Sequence, residues 1–555
     1  MITRNTQSGG GPKRRRRPRQ GRVVSTILGV GFLALSGGLT AAQDIGPSTT
    51  VDPYLLPTHA DVKTASILTF GDLDADNGYK MVGIPDGLGA FRNLTIDKKK
   101  ASSKSGKGLS EAAHQFTLLM NHELGNTLGV TRDHGSIGSF ISEWTIDRRT
   151  LEVIKGQDLT ESPATVFTWN GTSYVSGTTT WNRFCSADLP ALGAFYFKKG
   201  KNGTGTLDRI FLNGEETDAG RAFAHIATGP HKGESWQLPR LGRVAFENVL
   251  ASPYAQDKTV VVTMDDASAN TFLITPPDPT KGDFPSELHV YIGGKQKSGH
   301  PIEQAGLTNG KLYGVRVFLE SDPTNPLIGE DNTNGLGNTT TGYIGKGRFT
   351  LTTVGDAGDV SGLTEVQLQQ DDIDKKIFRL QRIEDEAWDP SHPNDFYFVT
   401  TASFSGNSRL WRLRFEDIRN PEKGGSIEIL LKGDEGHKML DNITIDRIGR
   451  ILLQEDVGNQ PRLGKIWLYG IESGNFIEVA HHNEKFFQAG GSDFLTEDEE
   501  SSGIIDASKI LGDGWFLLDV QAHKKLATTG PEAELVELGQ LLALYIDPVL
   551  EAAGK

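Results

Sequence analysis

A single cysteine, Cys185, in 555 residues rules out an internal disulfide framework, so the chain must be held together by packing or by bound metal. There is no GxSxG elbow, no P-loop, no HExxH and no CxxC, which leaves a serine-hydrolase reading without an anchor. No heptad pattern recurs, and long amphipathic segments are few after residue 42. Glycine is plentiful at 66 residues, but it follows no triplet period, which excludes collagen. Glycine between short apolar runs instead fits a protein of strands and turns. Hydrophobic content of 37% and charged content of 23% belong to a globular chain.

The first 42 residues read as a signal peptide. Lys13, Arg14, Arg15, Arg16, Arg17, Arg19 and Arg22 precede the uncharged stretch VVSTILGVGFLALSGGLTAA, with small residues Thr40 and Ala42 at the end. An uncleaved membrane anchor is the competing reading, and the paired arginines leave a twin-arginine route open. Residues 43–555 would then be one exported domain, periplasmic or extracellular. The leader holds eight of the 57 basic residues and none of the 71 acidic ones, so the remainder would carry 49 basic residues and a net charge of −22. So acidic a chain is a poor partner for nucleic acid or an anionic membrane. An anionic substrate would need metal ions or a buried arginine to approach it, and calcium is a common use of extracellular carboxylates.

What recurs is a short apolar run that ends in acidic or polar residues, then a loop, then a second run rich in aromatics. QFTLLMNHE precedes GSFISEWTID, KTVVVTMDD precedes ELHVYIG, DFYFVTTASF precedes RLWRLRF, and ITIDRIGRILLQED precedes GKIWLYGI. Alternation and β-branched or aromatic enrichment make these strands. Their loose repetition predicts an all-β fold, a β-propeller with loop insertions, over a large β-sandwich. In a propeller the acidic strand ends NHE, MDD and QED converge at one mouth although they lie far apart in the chain. The C-terminal run GQLLALYIDP is expected to complete an early blade and close the ring. SSKSGKG, near residue 105, reads as an exposed loop.

Several residues are candidates for chemistry. Glu123, in Asn121-His122-Glu123, ends a strand and could bind a metal or simply finish a hairpin. Asp265-Asp266 after VVVTM repel one another unless a cation or a solvated turn relieves them. Glu247 sits in the apolar GRVAFENV, where a carboxylate needs a partner. Cys185, with Asp188 close by, is a buried small hydrophobe or the soft ligand of a transition metal. Arg382 and Glu384 alternate in FRLQRIEDEAW and could share a face as a phosphate clamp or a surface salt bridge. Asp441-Asn442 with Glu455-Asp456 offer hard oxygens around one hairpin, and Glu499-Glu500 open an acidic loop.

The order of NHE, the cysteine segment, GRVAFEN, TMDD, RxE followed by WDP and DFYFVTT, then LDNITID-GR-QED, resembles the PhoX alkaline phosphatase family from about residue 65 onward. The resemblance implies a six-bladed propeller with an iron–calcium cluster at the channel mouth. It implies Cys185 as an iron ligand, with Glu123, Glu247 and Asp265 or Asp266 around a pair of ferric ions. Glu384 would bind calcium, Arg382 would hold phosphate, and Asp441 and Glu500 would add carboxylates. Many relatives carry an acidic pair directly after the cysteine. Here Ser186 and Ala187 stand there, which leaves one ligand missing, shifted or replaced by water.

The expected function is hydrolysis of small phosphate monoesters for phosphate acquisition, with binuclear Fe3+ and Ca2+. Two alternatives stay open: a calcium-stabilised propeller that binds without catalysis, and a phytase-like phosphatase or phosphodiesterase.

Overall fold

The computed structural model describes residues 42–93, 114–267, 278–281, 284–331, 336–337, 344–527, 529–530 and 532–550. The expected leader, except for its last residue, and the loop near residue 105 lie outside these.

Six inner strands organise the molecule: β1 (Pro85–Arg92), β2 (Phe184–Asp188), β3 (Phe246–Ala251), β4 (Ile383–Trp388), β5 (Leu440–Ile445) and β6 (Glu500–Asp506). Each begins a sheet that grows outward by antiparallel pairing, with a parallel pair only farther out, Ser235–Gln237 with Val166–Trp169 and Ala42–Ile45 with Val62–Thr69. Each also packs against the next, and β6 returns to β1, so the ring closes around a central channel. This radial, all-β arrangement is a β-propeller. The sheets of β3 and β4 run on into one another, because their outer strands Lys346–Thr353 and Gly425–Leu431 pair.

The packing explains why the strand sequences are apolar on both sides. In Lys258–Asp265, Val260, Val262 and Met264 enter one hydrophobic cluster while Val261 enters another. Successive side chains point to opposite faces, and here both faces are covered by neighbouring sheets. Each such buried valine contributes about 1.5–3 kcal/mol of burial.

Closure differs from the expectation in one respect. The C-terminal strand Glu537–Ile546 joins the last sheet beside Trp515–Lys525, and the early strand Val62–Thr69 comes to it there. A second early strand, Leu55–Pro57, adds to the sheet of β5 through Phe476–His482. The beginning of the chain completes the late sheets, the reverse of the expected roles.

Candidate metal centre

Every inner strand carries the same irregularity at the same place. In β1, Pro85 stands opposite His122 and Leu88 opposite Met120, so Asp86 and Gly87 together face one residue. The same two-against-one bulge recurs at Cys185-Ser186, Glu247-Asn248, Glu384-Asp385, Asp441-Asn442 and Gly503-Ile504. A bulge interrupts the period-two alternation and re-aims a side chain. Its first residue is a carboxylate or the cysteine in five strands: Asp86, Cys185, Glu247, Glu384 and Asp441. In β6 that residue is Gly503, at φ 60, where an added Cβ would stand 2.9 Å from Asp519 Oδ2 and 3.0 Å from the Asp86 carbonyl oxygen.

These donors and two from neighbouring strand ends form overlapping trios: Asp86–Glu123–Cys185, Cys185–Glu216–Glu247 and Glu247–Glu384–Asp441. Within each trio the ligand atoms lie within 4.8 Å of one another. Cys185 Sγ is 3.3 Å from both Asp86 Oδ2 and Glu247 Oε1. Two trios therefore share one sulfur, and the third is built of oxygen alone.

Neutral side chains fix these donors. Asn121 Nδ2 donates to the Cys185 carbonyl at 2.6 Å, and Ser186 Oγ donates to Glu247 Oε1 at 2.8 Å. Asn442 Nδ2 donates to Ser186 Oγ at 2.7 Å while its Oδ1 accepts from the Gly503 amide at 2.9 Å. Gln521 Nε2 reaches Asp86 Oδ2 at 2.9 Å and Glu123 Oε2 at 3.2 Å.

Burial raises Asp86, Glu247, Glu384 and Asp441 well above the usual carboxylate range, and their neighbours push further: Glu123 at Asp86, Glu384 at Glu247, Asp266 at Glu384, and Glu384 at Asp441. Burial lifts Glu216 to about 8 against the pull of Arg183. Burial, then Asp86, raises the Cys185 thiol. Acids that destabilise one another in this way gain most from cations, which would hold them ionised and deprotonate the thiol. The donors fit a cluster of more than one metal. The sulfur-sharing trios suit transition ions, and the oxygen trio suits a hard ion such as calcium.

Two arginines stand over the acids. Arg183 Nη2 is 2.6 Å from Glu123 Oε1 and also pairs with Glu216; Arg382 Nη2 is 2.9 Å from Asp266 Oδ2 and 3.1 Å from Glu384 Oε1. Their side chains are 45% and 37% exposed above buried carboxylates, which puts them at the mouth. His523 bridges Glu537 at 3.0 Å and Glu500 at 3.5 Å. Burial would lower its pKa, but the two carboxylates override this and raise it well above its ordinary value.

Of the residues expected from sequence, Glu123, Cys185, Glu247, Glu384 and Asp441 come together in the trios. Asp265 and Asp266 part company. Asp266 meets Arg382, whereas Asp265 turns to the Ala245 amide and to Gln369, away from the trios. Glu500 lies at the rim, bonded to Ser502 and His523, and burial that would raise its pKa is outweighed by these bonds. Asp456 pairs with Glu500 in an isolated bridge and is raised to about 7 by burial and Glu500. Glu455 is engaged instead by Arg462 and Trp467, and Glu499 by the Gly464 amide. Asp188 accepts from the Ala251 amide at 2.9 Å and does not stand in for the acid absent after the cysteine. Arg382 precedes its strand at φ 56 rather than alternating within it.

Asp86, Glu216 and Arg183 escaped the sequence reading. Asp86 sits in Pro-Asp-Gly and Glu216 in NGEETD, both of which read as turns. Arg183 had a usable signal, since Arg183-Phe184-Cys185 repeats the spacing of Arg382-Ile383-Glu384.

The fold and site define a propeller whose mouth gathers a thiol and carboxylates that could hold metal. Among solved structures the chain is similar to Pseudomonas fluorescens PhoX in complex with vanadate, a transition state analogue, at a TM-score of 0.56 and 11% identity, over 92% of this chain and 98% of that one. It also matches a luciferin-regenerating enzyme (TM-score 0.32, 9% identity, 77% and 87% covered) and a gluconolactonase, XC5397 of Xanthomonas campestris (0.30, 9%, 84% and 99%). No family model and no curated protein matches the sequence. At these identities the likeness to PhoX is one of fold.

Proposed function

We propose that this chain is a PhoX-like phosphatase, a six-bladed propeller that hydrolyses small phosphate monoesters outside the cytoplasm. The observation that carries the reading is the set of trios sharing Cys185, with two guanidiniums poised above them. The full-length fold match to PhoX bound to vanadate supports it.

Cys185 with Asp86, Glu123, Glu216 and Glu247 would hold two ferric ions, and Glu247, Glu384 and Asp441 would hold calcium. When bound, these ions would supply Lewis-acid stabilisation of the charge that builds on the phosphoryl oxygens. Arg382 and Arg183 would exchange one carboxylate contact each for a phosphoryl oxygen, fixing the ester against the cluster by bidentate bonds. They also answer how an anion approaches so acidic a chain. Protonated His523, held between Glu500 and Glu537, would orient the rim carboxylate Glu500. Ser186 occupies the place of an acid, and its hydroxyl keeps Glu247 Oε1 aimed at the sulfur side.

Nucleic acid and membrane are not expected partners of the exported domain, and no helix among the described residues is long and apolar enough to cross a membrane. The test is elemental analysis of the purified protein together with turnover of a chromogenic phosphomonoester. Iron, calcium and turnover together are expected. Calcium alone, with no turnover after iron is supplied, would replace this reading with a calcium-stabilised binding propeller. Cys185→Ser should lower iron content and turnover together; unchanged iron would remove the cysteine from the ligand set.

A further inference from the structure

A second set of donors lies apart from the trios, on a face of the sheet that starts at β3. Strand Ser286–Gly294 places Glu287 and His289 two residues apart, hence on one face, toward Asp372 of the helix Glu365–Lys375. The ligand atoms of the three residues lie within 4.8 Å of one another, and His289 Nε2 is 3.1 Å from Asp372 Oδ2. None is more than 1% exposed.

What distinguishes this place from a buried hydrogen-bond network is the number of polar atoms left unpaired, Arg379 Nε among them. Both Glu287 oxygens and Asp372 Oδ1 have no hydrogen-bond partner, nor do Thr263 Oγ1 and Gln369 Oε1. Thr263 stands opposite His289 in the ladder, and Gln369 lies one turn before Asp372 on the helix. Arg379 is beside Glu287, but its Nε is 3.9 Å from Oε1, beyond hydrogen-bond reach. A proton shared between the two acids would satisfy one oxygen of each and leave the second Glu287 oxygen, Gln369 Oε1 and the Thr263 hydroxyl bare. Unpaired acceptors in a dry interior are costly, and a cation satisfies several of them at once.

We propose that Glu287, His289 and Asp372 bind a buried divalent cation, with Gln369 or Thr263 completing its shell. One imidazole among oxygens suits manganese or zinc better than calcium. The ion would act on the mouth by positioning. Glu287 and Ser286 pair with Arg379 and Leu380, and Ser286 Oγ accepts from the Ile383 amide at 2.9 Å, so the pinned strand leads directly into Arg382. None of this depends on the phosphatase reading.

The experiment is metal quantification by mass spectrometry on full-length protein produced with manganese and zinc supplied. The parent should hold one equivalent of manganese or zinc per chain. The near-isosteric E287Q/D372N variant should lose that equivalent while any iron and calcium the parent holds stay unchanged, and His289→Ala should lose it too. Equal manganese and zinc in parent and variants would overturn the proposal. A parent free of both metals would overturn it as well, whether or not the variants fold.

Discussion

Arg183 and Arg382 are held at φ 49 and 56, in the left-handed region that a β-carbon disfavours. Such strain is of order 1–3 kcal/mol per residue and persists where the surroundings over-determine it. Both arginines sit immediately before an inner strand, two residues ahead of a candidate metal ligand (Cys185 and Glu384), with a carboxylate on either side. The backbone there favours glycine, so Arg382→Gly removes the guanidinium without adding strain and is a cleaner probe than alanine. Its loss should raise KM for a phosphomonoester roughly 10- to 100-fold, in line with about 1.5–3 kcal/mol for a charged hydrogen bond, and leave iron content unchanged. Arg183→Gly should do the same. An unaltered KM in both would take phosphate binding away from this pair. At this scale the sequence is legible in pieces: Cys185 announces itself as the one thiol, Glu247 as an acid among apolar neighbours, and Glu384 through its spacing from Arg382. Asp86 and Glu216 do not, because Pro-Asp-Gly and an acidic turn have ordinary explanations, and only residues distant in the chain but adjacent in space give them another.

At the scale of the element, the bulge explains the convergence better than the strand does. Apolar runs that end in acids reveal where strands stop, which is why the propeller could be read from their repetition. The bulge leaves no comparable trace, since two unpaired residues in a strand look like any two residues. It sets Asp86, Cys185, Glu247, Glu384 and Asp441 at equivalent places. Asp265 and Asp266, which the sequence could treat only as a pair, part by the ordinary alternation of successive residues at a strand end. Gly87, second in the β1 bulge, lies against the backbone of β2. A Cβ there would lie 2.4 Å from the Ala187 nitrogen and 2.6 Å from its Cβ, a contact with backbone that cannot yield. Gly87→Ala should therefore part the strands that carry Asp86 and Cys185, costing about 1–3 kcal/mol as overpacking does. Calorimetry should show a lower Tm, and elemental analysis less iron. A normal Tm with normal iron would mean that the two strands do not need this approach.

The whole molecule joins an early strand to a late one, Val62–Thr69 against Glu537–Ile546, around a channel with crowded carboxyl groups at its mouth. Without metal, that arrangement makes stability depend on pH in a defined direction. Glu216 and Asp188 are raised to about 8 and Asp456 to about 7, all chiefly by burial, while the same groups in the unfolded chain titrate near 4. Between those values the folded chain binds more protons than the unfolded one, so stability falls as pH rises. Their contribution is complete below about pH 4 and is lost progressively up to about pH 8. Metals reverse the sign, because they bind the ionised carboxylates and the thiolate and are displaced by protons as the pH drops. Chelator-stripped protein should therefore melt at a lower temperature at pH 8 than at pH 5, and metal-loaded protein at a higher one. Melting curves across that interval, with and without chelator, should cross. Parallel curves would mean that the carboxylates of the mouth keep their protons in the working protein, and a cluster of cations could not be what they are for.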